Sequence, residues 1–296
     1  MNGQSTGAAA AAPGGRDERG TMSQTTLQAA LARAEAEGRA ALIGYLPAGF
    51  PDVPSSTRVV EAMVQGGCDV VEVGLPYSDP TMDGPTIQRA ADTALAAGTV
   101  PSDVLRVVEA AAATGAAAVV MTYWNPVERY GPARFCADLA AAGGAGVITP
   151  DLIPEEAEEW FEATDAAGLD RVFLVAPSSG DERLRLTAQA SRGFVYAASL
   201  MGVTGTRSQV SGTAEKLVAR TRTAIGDSGL RVCVGLGISN RAQAAEVAAY
   251  ADGVIAGAGF CQRMLDAPDV ETGLGAVRSF AEELAQGVRD GRRGGG

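Results

Sequence analysis

The chain has 296 residues, 46% of them hydrophobic, and a net charge of -11 from 24 basic and 35 acidic side chains. That length can bury a sizeable core, as one large α/β barrel or as two ordinary domains. The acidic balance argues against nucleic acid or an anionic membrane surface as partner, while backbone groups remain free to bind a local phosphate.

Residues 1–22 carry an alanine run, Pro13-Gly14-Gly15 and a polar remainder, which predicts a disordered N-terminal extension. A single catalytic barrel domain is expected over 23–290, with a frayed tail over 291–296. Leu27, Leu31 and Ala34 recur at helical spacing up to Gly38, predicting a first helix that covers the barrel floor. The run 41–46 predicts a strand, after which Ser55 or Ser56 is expected to cap a helix ending at Gln65. A second strand is predicted over 69–74. Its period of two puts Val71 and Val73 on one face and Val70, Glu72 and Gly74 on the other. Pro76 and Pro80 stop it, and a polar loop with Tyr77, Ser78, Asp79 and Asp83 leaves its C-terminal end.

Helical stretches at 86–96 and 102–113 lengthen the next crossover. Further strands are predicted at 117–122, 145–149, 171–175, 193–198, 231–235 and 252–256. Helical segments such as 155–167, 214–224 and 241–250 separate them, and a last helix runs from 270 to about 288. Eight strands alternating with helices imply a (β/α)8 TIM barrel with an extra N-terminal helix and an added helix after the second strand. The alternative is a doubly wound open sheet, which the absence of Gly-x-Gly-x-x-Gly after the first strand disfavours.

Cys68, Cys136, Cys233 and Cys261 are far apart and lack metal-site or disulfide-framework spacing, so a reduced, cytoplasmic protein without a metal site is expected. No apolar run reaches membrane-spanning length, and the start lacks a signal-like segment. Histidine is absent, so a general acid or base must be a carboxylate, tyrosine, lysine or cysteine. Glu72 is the first candidate. An acid inside an apolar strand is an edge charge, half of a buried ion pair, or a functional group; in a closed barrel it faces inward, where desolvation raises its pKa. By spacing alone Asp83 before Gly84 reads as a turn residue, and Tyr123, Trp124 and Asn125 as a cap on the barrel. Glycine-rich stretches at 202–205, 235–237 and 257–259 follow three successive strands, either as tight turns or as a backbone cradle for phosphate.

The stretch Val71-Glu-Val-Gly-Leu-Pro-Tyr-Ser-Asp-Pro80, with Asp83-Gly-Pro-Thr-Ile-Gln88, Tyr196 to Gly205 and Gly235-Leu-Gly-Ile-Ser239, resembles the tryptophan synthase alpha subunit family over about residues 27–288. The resemblance implies a barrel lyase that cleaves indole-3-glycerol phosphate to indole and glyceraldehyde 3-phosphate. It also implies an alpha-beta-beta-alpha heterotetramer in which the beta subunit holds pyridoxal phosphate, with no cofactor in this chain. By the same resemblance Glu72 is the general acid and base, Asp83 the acceptor of the indole N–H, and Tyr196 the site tyrosine. Thr204 belongs to the mobile loop that closes onto Asp83. Gly205, Gly237, Gly257 and Ala258 match phosphate-binding backbone positions. Tyr45, Met121, Ile148, Leu174 and Leu236 fall where the family lines the indole pocket, and Asp79, Pro80 and Asn125 where it faces the beta subunit. The chain departs from the common pattern at Thr81, Met82, Leu200, Met201 and Ala258, and none of these touches Glu72 or Asp83. Two other readings stand beside the lyase: a catalytically silent alpha-like scaffold that activates a beta subunit, and another phosphate-handling barrel.

Overall fold

The computed structural model describes residues 25–198 and 207–293. The extension expected over 1–22 and the loop carrying Leu200, Met201, Thr204 and Gly205 lie outside the described residues.

The strands are all parallel: β1 Ala41–Pro47, β2 Val70–Gly74, β3 Ala117–Met121, β4 Gly146–Ile148, β5 Asp170–Val172, β6 Leu174–Val175, β7 Phe194–Ala198, β8 Arg231–Gly235 and β9 Gly253–Ala256. Their order is β5-β4-β3-β2-β1-β9-β8-β7-β6. The two ends of that order are one stretch of chain broken at Phe173. Its first half pairs with β4 and its second with β7, so the sheet curls back on itself as an eight-position barrel. The fifth predicted strand is therefore real but split, because it must change partners to close the ring.

Side chains alternate across the barrel wall. Leu42, Leu46, Val71, Val73, Val120 and Val254 point outward into the layer of helices. Ile43, Val70, Val119, Phe194, Cys233 and Ile255 point inward, where they form a second cluster with Leu27, Ala30, Leu31 and Ala34. Those four lie on α1, Thr26–Ala36, which closes the N-terminal end of the barrel as its periodicity predicts. Thr25 caps this helix, accepting from the Gln28 N–H, and donates its hydroxyl to the buried Asp170 carboxylate. The Gln28 amide donates to the same carboxylate at 2.9 Å. A second clip joins β1 to the entrance of β2. Arg39 donates two hydrogen bonds to Asp69, at 2.6 and 2.8 Å, and the Leu42 N–H adds a third at 2.9 Å. Burial of both side chains removes competing water, and satisfaction of both carboxylate oxygens offsets the desolvation.

Helices alternate with the strands as expected, with local differences. Helix α2, Val53–Gln65, is capped by Asp52 rather than by Ser55 or Ser56; the carboxylate accepts the Ser55 N–H at 2.7 Å, and Ser56 instead ties Gly49 to Val53. Helices α3, Pro85–Ala96, and α4, Pro101–Ala113, fill the long crossover after β2. Two helices, α5 Trp124–Tyr130 and α6 Pro132–Ala141, follow β3, broken by Gly131 at φ +92°. The next helices are α7 Glu158–Ala167, α8 Asp181–Ala190, α9 Arg207–Ile225, α10 Arg241–Ala248 and α11 Ala258–Asp266. The last, α12, runs over Val270–Arg293, past the expected end near residue 288.

The Asp69 clip yields a stability prediction. Asp69→Ala leaves the buried Arg39 guanidinium with only Glu37 and the Ala40 carbonyl as partners and orphans the Leu42 N–H, so urea unfolding is expected to show a loss of about 2 kcal/mol or more; a loss below about 1 kcal/mol would show the clip to be dispensable.

Candidate active site

At the C-terminal mouth of the barrel the inward positions become large and polar. Tyr45 on β1, Glu72 on β2, Met121 on β3, Leu174 on β6 and Tyr196 on β7 surround a cavity of about 360 Å³. The register sets Glu72 directly between Tyr45 and Val119 on the neighbouring strands.

Glu72 is 1% exposed, and its Oε2 has no hydrogen-bond partner. Burial, helped by the nearby Asp83 carboxyl, pushes its pKa from 4.5 up to about 8. An isolated carboxylate at this depth is costly, so the acid form prevails at neutral pH, within easy reach of ionisation. A strand mount with paired neighbours on both sides holds the carboxyl rigidly.

Asp83 arrives from the loop between β2 and α3 and lines the same cavity. Burial raises its pKa, and a hydrogen bond from Tyr123 opposes that rise. The Tyr123 hydroxyl also accepts the N–H groups of Thr81 and Met82, at 3.1 and 3.0 Å. The Tyr77 ring packs 5.2 Å from that of Tyr123, and Asn125 donates to the Tyr77 hydroxyl at 3.2 Å. At its far end the loop is held by Gln88, which donates to the Asp83 carbonyl at 2.8 Å. Tyr123, read from sequence only as a barrel cap, is thus a support of the acidic loop.

Tyr45 and Tyr196 occupy the space left by two glycines. A Cβ on Gly74 would collide with the Tyr45 hydroxyl, and one on Gly235 with the Tyr196 hydroxyl. Burial first, and the carboxyls of Glu72 and Asp83 next, raise both phenol pKa values well above 10. Both phenols therefore stay protonated and available as donors.

Backbone completes the wall on the β8 and β9 side. Leu236 and Gly237 follow β8, and Gly257 and Ala258 follow β9, all lining the cavity. Gly237 sits at φ +61°, where a side chain would be strained. Gly257 is the N-cap of the nine-residue α11, and Ala258 is its first residue. The opening N–H groups of that helix have no intrahelical acceptor and carry the positive end of its dipole, the electrostatics an anion needs.

Of the residues singled out from sequence, the cavity brings together Glu72, Asp83, Tyr196, Tyr45, Met121, Leu174, Leu236, Gly237, Gly257 and Ala258. Ile148 is not in the wall; it lies fully buried in the interior cluster with Val119 and Val172. Asp79, Pro80 and Asn125 stand outside on the rim, Asp79 and Asn125 exposed. The cavity also takes in Thr81 and Met82, noted in the sequence only as departures from the family pattern, and Ile87, Ala198 and Ile255, which carried no individual signal; Ile87 belongs to the Asp-Gly-Pro-Thr-Ile-Gln motif, and period-two counting from Tyr196 reaches Ala198. Among the described residues no group of three or more potential ligands is arranged for a metal ion. The sequence has a single lysine, Lys216 on α9, and it does not line the cavity, so the residues present do not suit a cofactor held as a lysine imine.

The tryptophan synthase alpha chain model matches residues 31–289. A tryptophan synthase alpha chain from Thermobifida fusca is 73% identical over 265 residues, covering 90% of this chain and 98% of the relative. One from Streptomyces coelicolor is 59% identical over 260 residues, 88% of this chain and 95% of the relative. Among solved structures, a Mycobacterium tuberculosis tryptophan synthase chain superposes with a TM-score of 0.82 at 54% identity, covering 90% of this chain and 99% of that chain. The tryptophan synthase subunit alpha of Legionella pneumophila gives 0.81 at 30% identity, with the same coverage. Site geometry, fold and sequence converge, and the chain belongs to the tryptophan synthase alpha chain family.

Proposed function

We propose that the chain cleaves indole-3-glycerol phosphate to indole and glyceraldehyde 3-phosphate, as a carbon-carbon lyase of tryptophan biosynthesis. The observation that carries this reading is the buried, unpartnered Glu72 carboxyl sharing one cavity with Asp83, with a helix N-terminus at the same cavity.

The chemistry requires a proton to enter the indole ring at the carbon bearing the side chain and another to leave the adjacent hydroxyl as the carbon-carbon bond breaks. With its pKa raised to about 8, Glu72 holds the first proton at neutral pH. Once it has given that proton to the ring carbon it is a carboxylate and takes the hydroxyl proton, so it ends as it began. Protonation places positive charge on the ring. Asp83 accepts the indole N–H and stabilises that charge, an interaction stronger in the transition state than in the ground state. Tyr196 donates from the β7 side. The apolar wall of Met121, Leu174 and Leu236 packs the ring, with Tyr45 beside Glu72, while Gly237, Gly257 and Ala258 hold the phosphate through backbone N–H groups. Gly205 is assigned to the same phosphate group and Thr204 to closure over Asp83. Ile148 supports the pocket from below.

Family membership implies a beta-subunit partner. We assign Asp79, Pro80 and Asn125 to that interface, within an alpha-beta-beta-alpha tetramer in which the beta subunit carries pyridoxal phosphate and this chain carries no cofactor. No described helix is long and apolar enough to cross a membrane, which suits the cytoplasmic location proposed here. The silent-scaffold reading leaves the cost of the buried Glu72 unexplained.

Glu72→Gln is expected to lower indole release by about 10³-fold or more while substrate still binds, since an amide transfers no proton; turnover near that of the parent would remove Glu72 from the mechanism. The same variant reports on the raised pKa. The folded state holds its proton up to about pH 8, whereas the unfolded chain releases it near the ordinary value. The parent therefore loses stability as pH rises between those values, by about 1.4 kcal/mol per unit at most. Urea unfolding of Glu72→Gln should show an advantage over the parent that grows from pH 5 to pH 8; a pH-independent difference contradicts the assignment. Asp83→Asn is expected to cost about a hundredfold in kcat, less than Glu72→Gln, and an unchanged rate would return Asp83 to the status of a turn residue.

A further inference from the structure

We infer that Tyr123 is a positioning residue for this reaction: its hydroxyl gathers the acidic loop and holds Asp83 ready to receive the substrate N–H. The inference rests on the role proposed above for Asp83.

The hydroxyl oxygen of Tyr123 accepts two consecutive backbone N–H groups, from Thr81 and Met82, the residues immediately before Asp83. An oxygen that accepts two bonds still has its own proton to donate, and the Asp83 carboxyl is near enough for that proton to favour its ionised form. A phenol therefore fixes the backbone approach to Asp83 and acts on the carboxyl itself. The post is firmly set. Tyr123 is 6% exposed, stands at the N-cap of α5 directly after β3, and its ring packs against Tyr77. The loop has no regular structure between Gly74 and Pro85, so without this anchor residues 81–83 would keep the Gln88 contact alone among their described hydrogen bonds.

The electrostatics point the same way. The titratable groups that act on Asp83, or are acted on by it, are Glu72 from β2, Tyr45 from β1, Tyr123, Tyr196 from β7 and Cys261 from α11. None is a cation. Burial raises the Asp83 pKa, and among the described residues the Tyr123 hydrogen bond is what opposes it. An Asp83 that took up a proton would lose the negative charge that stabilises a cationic ring. Tyr123 thus favours the ionised form of Asp83 as well as holding it in place, without touching the substrate.

The test is Tyr123→Phe, which removes the hydroxyl and keeps the ring against Tyr77. Indole release is followed as a function of pH in the full chain with its beta subunit, beside Asp83→Asn and the double variant. The expected result is a kcat/KM lowered roughly tenfold near neutral pH, an acidic limb moved to higher pH by about one unit, and an unchanged melting temperature. Tyr123→Phe should add nothing to Asp83→Asn, because two residues acting through one contact are not additive. A normal rate, an unmoved acidic limb, full additivity in the double variant, or a Tyr123→Phe protein that fails to fold would each overturn the inference. If Asp83→Asn itself turned over normally, the fault would lie in the role of Asp83; a crippled Asp83→Asn beside an unaffected Tyr123→Phe would reject Tyr123 alone.

Discussion

The structure turns on keeping one carboxyl out of water. Glu72 sits in the barrel mouth with an oxygen that nothing satisfies, and the surrounding wall is what makes this tolerable. At neutral pH the group avoids the desolvation penalty by holding its proton, and that same reluctance to ionise suits it to the proton transfer proposed for it. Stability is given up locally so that a proton is held where it is needed. The rest of the fold has to supply the compensating stability, and it does so at the other end of the barrel. There the Arg39–Asp69 clip and the α1 plug are fully bonded and packed.

The two acids are mounted differently because their tasks differ. Proton transfer demands a fixed distance, and Glu72 lies mid-strand with β1 and β3 on either side. Asp83 is proposed to stabilise a charge that appears only when substrate is present, and it lies on a loop whose course is set by side chains. The Tyr123 hydroxyl, the Tyr77 ring and Asn125 form a chain of contacts from that loop to the start of α5. Asn125 stands on the exposed rim assigned to the partner. One short run of contacts therefore joins the rim to the carboxylate.

Size matters as much as charge in this site. Gly74 and Gly235 face the tyrosines of the adjacent strands, and neither could bear a methyl group without displacing a hydroxyl. In a close-packed interior that displacement would move the phenols against the carboxyls they face. The cavity is the space left when two small residues sit beside two large ones, and at the ends of β8 and β9 glycines leave the backbone open to it.

Much of this was legible in the sequence, because barrel strands and their helices are written in local patterns. The alternation in residues 69–74 placed Glu72 inward, and Leu27, Leu31 and Ala34 announced a floor helix. Glycines after successive strands marked the anion end, and an identifiable motif linked Glu72 to Asp83. Other features depended on contacts between residues far apart in the chain. The split of the fifth strand at Phe173 follows from ring closure, which no window of sequence contains. Ile148 fell below the pocket because depth along a strand depends on stagger between strands, whereas alternation gives only the face. Tyr123 looked like a cap until a loop some forty residues earlier was seen to hang from its hydroxyl. Sequence by itself determined the architecture, which follows from side-chain period, and nominated the candidate reacting groups through an acid buried in a strand and a family motif. Tertiary structure alone decided the pKa of Glu72, the support of Asp83 and the shape of the cavity, since burial and hydrogen-bond geometry exist only once distant segments meet.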